Sequence, residues 1–471
     1  MMQYLQNASI HRLLRLGRST FSLLCAFMLS GLSHAQTTFG DTLCLGVKFA
    51  QGQPLTELPT LQELGVRWVR DVVFWGQVEL SPGKFNDELP AAVQRRLQYY
   101  REHQIGVIMI LGLGNSRAYP DTGANPLASI SPDRFSDYAL YMARKLQESG
   151  VQFALEVWNE PHNTLSQKVG GHWAGAHPSP WVDHYVRMVN LTVQKVRQFD
   201  STINIFSQDD MWVPHYWFME AGLTPAITGF TVHPYNGAAK GPEITAVGYE
   251  TDWTRPFHVV DPDRSFRSAV KRLQAQGLKK LRHNTPIWIT EWGWPVGGDW
   301  NGQKLTPEDV AMMLPRAFIV AAAAGVDKTC WFSAQDSVDG PMGLSDNQLQ
   351  RRPAYQAMRT LSQQLGTFGL PEHVMGAQHV TSGVQGFLFR DGQRAKLVIW
   401  NIDGPSKQLR LTPVQQAELS EITDYLGRQI EVGGKATLEF GYQPLYLTFK
   451  TPSAAHTLIA NMSIEPSPAS R

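Results

Sequence analysis

Between residues 43 and 337 short apolar runs alternate eight times with amphipathic stretches, and this alternation narrows the fold more than any other property of the chain. The runs read as strands at 43–49, 68–73, 106–111, 153–158, 204–208, 229–233, 287–290 and 329–333. Most are apolar almost throughout, as strands covered on both faces must be. Helical stretches fall at 87–103, 131–146, 180–198, 264–274, 306–324 and 353–365. The one at 131–146 is the clearest: Ser131 can cap it, Pro132 fits the first turn, and Phe135, Tyr138, Met142 and Leu146 share a face. Strand and helix alternating in this way, with right-handed crossovers, predict an α/β fold, a closed (β/α)8 TIM barrel spanning 36–368. An open doubly wound sheet is the competing arrangement, but no Gly-rich phosphate loop follows the first strand.

Beyond Leu365 the period changes to two, with short segments at 386–389, 395–401, 408–411, 421–425, 437–440 and 445–449. Turns such as Asp391-Gly392 and Gly433-Gly434 separate them, so 369–450 is expected to be a small antiparallel β-sandwich. The segment 451–471, rich in Ser, Pro and Ala, is expected to be a disordered tail. At the other end Arg12, Arg15 and Arg18 precede an apolar run at 21–32, and Ser33-His34-Ala35 offers small residues for cleavage before Gln36. Residues 1–35 therefore read as a signal peptide, with an uncleaved anchor as the alternative, and the protein as exported, periplasmic or secreted. Cys25 follows Leu23-Leu24, without the small residue that a lipoprotein signal needs. Cys44 and Cys330 would lie on neighbouring first and eighth strands. A strained disulfide is open to them, and buried free thiols are the expectation.

With 42 basic and 41 acidic residues the chain lacks the concentrated positive face that phosphate binding needs, so no nucleic-acid partner is expected. No long apolar run follows residue 32, which argues against membrane insertion beyond the signal. No His or Cys cluster has zinc spacing; His172 and His177 read as loop residues, and neither a metal nor an organic cofactor is expected.

Two glutamates carry the chemistry. Glu160, in LEVWNEPHN, follows strand four, and Glu291, in PIWITEWGWP, ends strand seven, each beside a tryptophan. Active sites of these barrels lie at the C-terminal ends of the strands, so the two carboxyls can face each other across the mouth. Such a pair suits sugar cleavage, in which one carboxyl gives a proton while the other attacks or stabilises the anomeric carbon. Tryptophan faces stack on pyranose rings.

Trp158-Asn159-Glu160-Pro161, followed about 130 residues later by Thr290-Glu291-Trp292-Gly293, resembles the retaining (β/α)8 glycoside hydrolases of clan A, of family 39 or family 5 type, including bacterial enzymes that trim biofilm exopolysaccharide. The resemblance covers roughly 46–365. It implies that Glu160 is the acid/base and Glu291 the nucleophile. Arg70 matches the strand-two Arg near the nucleophile, His233 and Tyr235 the strand-six His-x-Tyr, and Trp331 the strand-eight Trp. Gly343-Leu344-Ser345-Asp346 and Arg352-Pro353-Ala354-Tyr355 resemble the stretch leading into the last helix. Glu160 then needs a raised pKa to hold its proton, whereas Glu291 must be ionised. Asn159 is expected to bond the sugar 2-hydroxyl. Plainer roles stand beside these: Arg70 neutralising Glu156, Tyr235 as a packed residue, His233 as a satisfied core histidine.

Trp75, Trp173, Trp181, Trp212, Trp292, Trp294 and Trp300 fall in or near βα loops, with Trp292 and Trp294 the foremost candidates for sugar platforms, whereas Trp68, Trp217, Trp288 and Trp400 read as core. Long loops after strands four, six and seven favour a polymeric substrate. The expectation is an exported, monomeric retaining β-glycosidase that cuts within an exopolysaccharide or other β-linked polysaccharide. A non-catalytic polysaccharide-binding or assembly protein and a transglycosylase using the same residues are the alternatives.

Overall fold

The eight apolar runs form one closed parallel barrel. In the computed structural model the described residues are 37–171, 178–210, 212–236, 241–245, 257, 259, 261–300, 302–403, 406–431 and 437–467, with Trp300 described in backbone alone. The expected signal segment and its expected cleavage point, His172, Trp173, His177 and the Gly433-Gly434 turn lie outside the described residues. The barrel strands are β1 (Leu43–Gly46), β2 (Trp68–Phe74), β3 (Gly106–Gly112), β4 (Phe153–Val157), β5 (Asn204–Asp209), β6 (Gly229–Val232), β7 (Ile287–Trp292) and β8 (Lys328–Trp331). Each pairs with its neighbours in sequence, and β8 closes on β1.

Flanking them are α1 (Ala91–Glu102), α2 (Pro132–Ser149), α3 (Pro161–Val169), α4 (Pro180–Phe199), α5 (Trp212–Glu220), α6 (Phe266–Leu281), α7 (Pro307–Ala324) and α8 (Pro353–Leu365). Sequence periodicity missed α3 and α5. The first starts directly at Pro161 after Glu160 and buries only Pro161, His162 and Leu165, too short a pattern to stand out, and the second is buried nearly all round and shows no amphipathic stripe. Ser131 stands at the N-cap of α2 but makes no side-chain cap bond, while Pro132 takes the first turn as expected.

The barrel interior is layered by the two-residue period of its strands. Cys44, Trp68, Ile108, Ala154, Phe206, Trp288 and Cys330 form an apolar plug, with Trp68 and Trp288 edge to face at 5.4 Å. Gly106 is needed beside it, since a Cβ there would stand 2.7 Å from the Trp68 ring. Two residues further along the same strands come Arg70, Glu156, Gln208 and Thr290, all buried. A polar layer thus sits directly on the plug, at the C-terminal mouth. Cys44 and Cys330 are paired across β1 and β8, and the structure joins them in a disulfide, correcting the expectation of free thiols. Their Cα atoms are 4.0 Å apart, the close approach that direct register partners bring.

After the barrel come β9 (Glu372–Met375), β10 (Val384–Arg390), β11 (Ala395–Asn401), β12 (Lys407–Arg410), α9 (Pro413–Glu418), β13 (Leu419–Asp424), β14 (Thr437–Phe440), β15 (Leu445–Phe449), α10 (Pro452–Ala460) and β16 (Ser463–Pro466). They make antiparallel sheets of order β9-β10-β11-β15-β13 and β14-β12-β16. Their outer core is separate, but Phe387, Phe389, Val398, Trp400 and Tyr446 belong to the barrel's own core cluster. Trp400 also donates to Glu243, which is paired with Arg316 of α7 at 2.7 Å.

The expected disordered tail is ordered through Ser467. Thr451 caps α10, Ala455 and Leu458 bury into the sandwich core, and β16 pairs with β12. Its small-residue composition hid a short helix whose few apolar residues fall on one side. Leu458→Ala is expected to lower the unfolding free energy by about 2–3 kcal/mol in chemical denaturation. A change near zero would show that this helix does not dock.

Candidate active site

Arg70 of β2 organises the polar layer. Its Nε donates to Glu156 Oε1 at 2.8 Å, one terminal nitrogen bonds Glu291 and the other reaches Asn159 Oδ1 at 2.6 Å. It is buried along with Glu156, and so serves both the neutralising role and the contact to Glu291 that sequence had offered as alternatives. Burial pushes its pKa down, but the charges of Glu156 and Glu291 outweigh that and the net is upward. Glu291, ending β7, receives its second bond from Tyr235, whose hydroxyl donates to Oε2 at 3.0 Å. Burial and the Glu291 charge hold the Tyr235 phenol well above its ordinary range, so it donates throughout the working pH.

Glu160 follows β4 with Trp158 and Glu160 both at positive φ, 72° and 46°. A side-chain-bearing residue is held there only when its surroundings fix it. Here the Glu160 N–H donates to Gln208 Oε1 at 2.5 Å, and its carbonyl accepts from Asn163 at the start of α3. The carboxyl takes a bond from His233 Nδ1 at 2.9 Å and from Asn163 Nδ2 at 3.0 Å. An oxygen of Glu160, His233 Nδ1 and an oxygen of Glu291 lie within 4.8 Å of one another. Burial pushes the Glu160 carboxyl up, but the hydrogen bond from His233, with the charge that ring carries whenever it is doubly protonated, outweighs it and the net is downward, opposite to the raised value expected from sequence.

These groups line a cleft of about 540 Å³. Its wall includes Arg70, Asn159, Glu160, Tyr235, Glu291 and Trp294. His233 is buried just behind Glu160. Trp292, Trp75 and Trp331, expected to meet substrate, do not line it. Trp292 stacks on Phe266, Trp75 stacks on Tyr138 and donates to Glu79, and Trp331 is buried behind Trp294. Trp181 and Trp212 are core as well. The aromatic wall is made instead by Phe74, Tyr235, Trp294 and Phe332.

A second cluster lies beside the first. His162 Nδ1 stands 2.9 Å from carboxylate oxygens of both Asp209 and Asp210. Burial pushes His162 down, but the Asp209 charge leads it up to about 11, and burial raises Asp210 to about 6. An imidazolium thus stands where a cation would bridge the two carboxylates, as the Arg70 guanidinium does beside Glu291.

A family model described as cellulase, glycosyl hydrolase family 5, matches residues 55–336, more than half of the chain. The chain belongs to glycosyl hydrolase family 5. It is a glycoside hydrolase, and its carbohydrate substrate follows from that membership. Solved structures share the fold at low identity. A family 39 glycoside hydrolase from the gut symbiont Bacteroides cellulosilyticus WH2 is 18% identical over 88% of this chain and 82% of that one, with a TM-score of 0.69. A GH39 enzyme from Xanthomonas axonopodis pv. citri is 16% identical over 88% and 95%, TM-score 0.53. A GH30 endoxylanase from Clostridium papyrosolvens C71 is 8% identical over 88% and 97%, TM-score 0.52. No curated protein matches the sequence.

Within this family-5 barrel, sequence reasoning passed over Phe74, Phe332, Gln208, Asn163 and the pair of Lys48 and Asp339. Lys48 lies in the cleft wall, 3.1 Å from Asp339 and over the Phe332 ring at 4.0 Å. The signal was faint: one lysine two positions past the end of a short buried strand. Arg352, in the stretch expected to lead into the last helix, bonds Asp336 and the Gly343 carbonyl and so ties down the loop after β8. Because Trp292 is packed rather than presented, Trp292→Ala is expected to lower stability by about 3–5 kcal/mol in denaturant unfolding. A fully stable variant would place that indole at the cleft after all.

Proposed function

We propose that this family-5 enzyme is a retaining β-glycosidase working by double displacement, with Glu291 as nucleophile and Glu160 as acid/base. The observation that carries the reading is the spacing of the two carboxyls, whose nearer oxygens lie within 4.8 Å. Retaining pairs stand roughly 5–5.5 Å apart, and a water between the carboxyls needs roughly 6.5–9.5 Å. Their partners also differ in kind. Arg70 and Tyr235 each bond one oxygen of Glu291, fixing the plane of its carboxylate, whereas Glu160 rests on His233 and Asn163. In the first step Glu291 attacks the anomeric carbon and Glu160 protonates the departing glycosidic oxygen. In the second Glu160 takes a proton from water, which attacks the same carbon and releases Glu291. Asn159 is anchored through its oxygen by Arg70, which leaves its amide N–H groups to meet the sugar 2-hydroxyl.

The substrate is a β-linked polysaccharide, an exopolysaccharide among them, cut internally. Supporting this, the cleft draws its walls from the loops after β1, β3, β4, β6, β7 and β8 and offers aromatic faces on more than one side. The enzyme acts as an exported monomer. A buried disulfide suits an oxidising compartment, and among the described residues no helix is long and apolar enough to cross a membrane.

Glu160→Ala is expected to lose about 10²–10⁴-fold in kcat on a polysaccharide panel. On an aryl β-glycoside whose phenolate leaves without a proton, added azide should restore Glu160→Ala turnover and give a β-glycosyl azide, while Glu291→Ala with azide should give the α-azide. Wild-type rates from either variant, or exchanged azide anomers, would overturn the assignment.

A further inference from the structure

The polar atoms around His233 dictate which of its ring nitrogens carries the proton. Gln208 of β5 is fully buried, and its Oε1 faces the Glu160 backbone N–H. That N–H can only donate, so the amide cannot be turned the other way, and the Gln208 NH2 is the end that meets His233 Nε2, 3.2 Å away. Nε2 must then accept. Thr290 Oγ1, 3.1 Å from the same nitrogen, is a hydroxyl able to donate to it as well. The ring's proton is left on Nδ1, pointing at Glu160 Oε1, with Glu291 Oε2 at 3.7 Å.

We propose that Gln208 is a positioning residue that holds His233 in its neutral, Nδ1-protonated form, so that Glu160 receives a hydrogen bond without a fixed positive charge beside it. The idea rests on Glu160 as the acid/base, because an imidazolium there would hold Glu160 ionised and unable to protonate a leaving group. Burial opposes a charged ring, while Glu291 from β7 and Glu160 favour it and Arg70 from β2 opposes it, and the net of these is upward. His215 of α5 is kept neutral by burial, at about 3, and Asp210 bears on Glu160. The Gln208 amide stands against the two glutamates by placing a donor where the second ring proton would sit.

The test needs no substrate at first. In protein carrying ¹⁵N-histidine, with the His233 signals assigned by their loss in His233→Asn, the wild-type ring at about pH 7 should show one protonated nitrogen, Nδ1. Gln208→Glu, which accepts from both Glu160 N–H and Nε2–H, should show two. A wild-type proton on Nε2, or a wild-type imidazolium, overturns the inference even if the enzyme cleaves sugars as proposed. The second arm is the pH profile of kcat/KM. Since the acid must be protonated, Gln208→Glu should move the alkaline limb down by about one pH unit, and should not lower it in a His233→Asn background. An equal shift in both backgrounds would mark Gln208 as merely structural. A correct tautomer with no hydrolysis in any profile would sink the glycosidase reading and leave the ring assignment standing.

Discussion

The guanidinium of Arg70 is the constraint on which the mouth of the barrel depends. It bonds acceptors from β4, from the loop after β4 and from β7, and it does so inside the barrel, where a lone charge would cost several kcal/mol. Four planar N–H bonds to two carboxylates and one amide offset that cost, which a flexible ammonium could not reproduce. The position follows from the two-residue period. Trp68 fills the apolar plug, and the next inward residue of β2 is Arg70. The apolar layer excludes water from below, and the polar layer above it aims its groups at the cleft.

Around this centre the two glutamates have been given different neighbours. Glu291 lies on a strand, held from two sides. Glu160 lies beyond a strand, on a backbone twisted through two positive-φ residues and caught by Gln208 and the start of α3. The arrangement joins a rigid carboxylate to one whose protonation answers to a histidine. The His162 cluster extends the same logic outward, since Asp210 bears on Glu160 and is itself balanced by an imidazolium.

Much of the barrel was legible because strands covered on both faces leave near-continuous apolar runs, and eight of them in a row admit few topologies. The glutamate pair was legible because charge at the end of such a run is conspicuous. The tryptophans were not, and the reason is geometric. Neighbouring residues of an extended chain point to opposite sides. Trp292 follows Glu291, Trp75 follows Phe74, and Trp331 precedes Phe332; in each pair the second-named residue faces the cleft and the indole faces the core. Residue type drew attention to the indole, while parity gave the cleft to its neighbour. The ordered tail was hidden for another reason: burial of Ala455 and Leu458 depends on a sheet formed by distant strands, which local composition does not encode.

The proposed double displacement requires a covalent glycosyl–Glu291 bond, in keeping with carboxyl oxygens that lie within 4.8 Å of each other. The most direct measurement is proton NMR of the first-formed reducing end during hydrolysis of a β-linked substrate, read before mutarotation. With retention, the β-anomer appears first. Initial appearance of the α-anomer would contradict it.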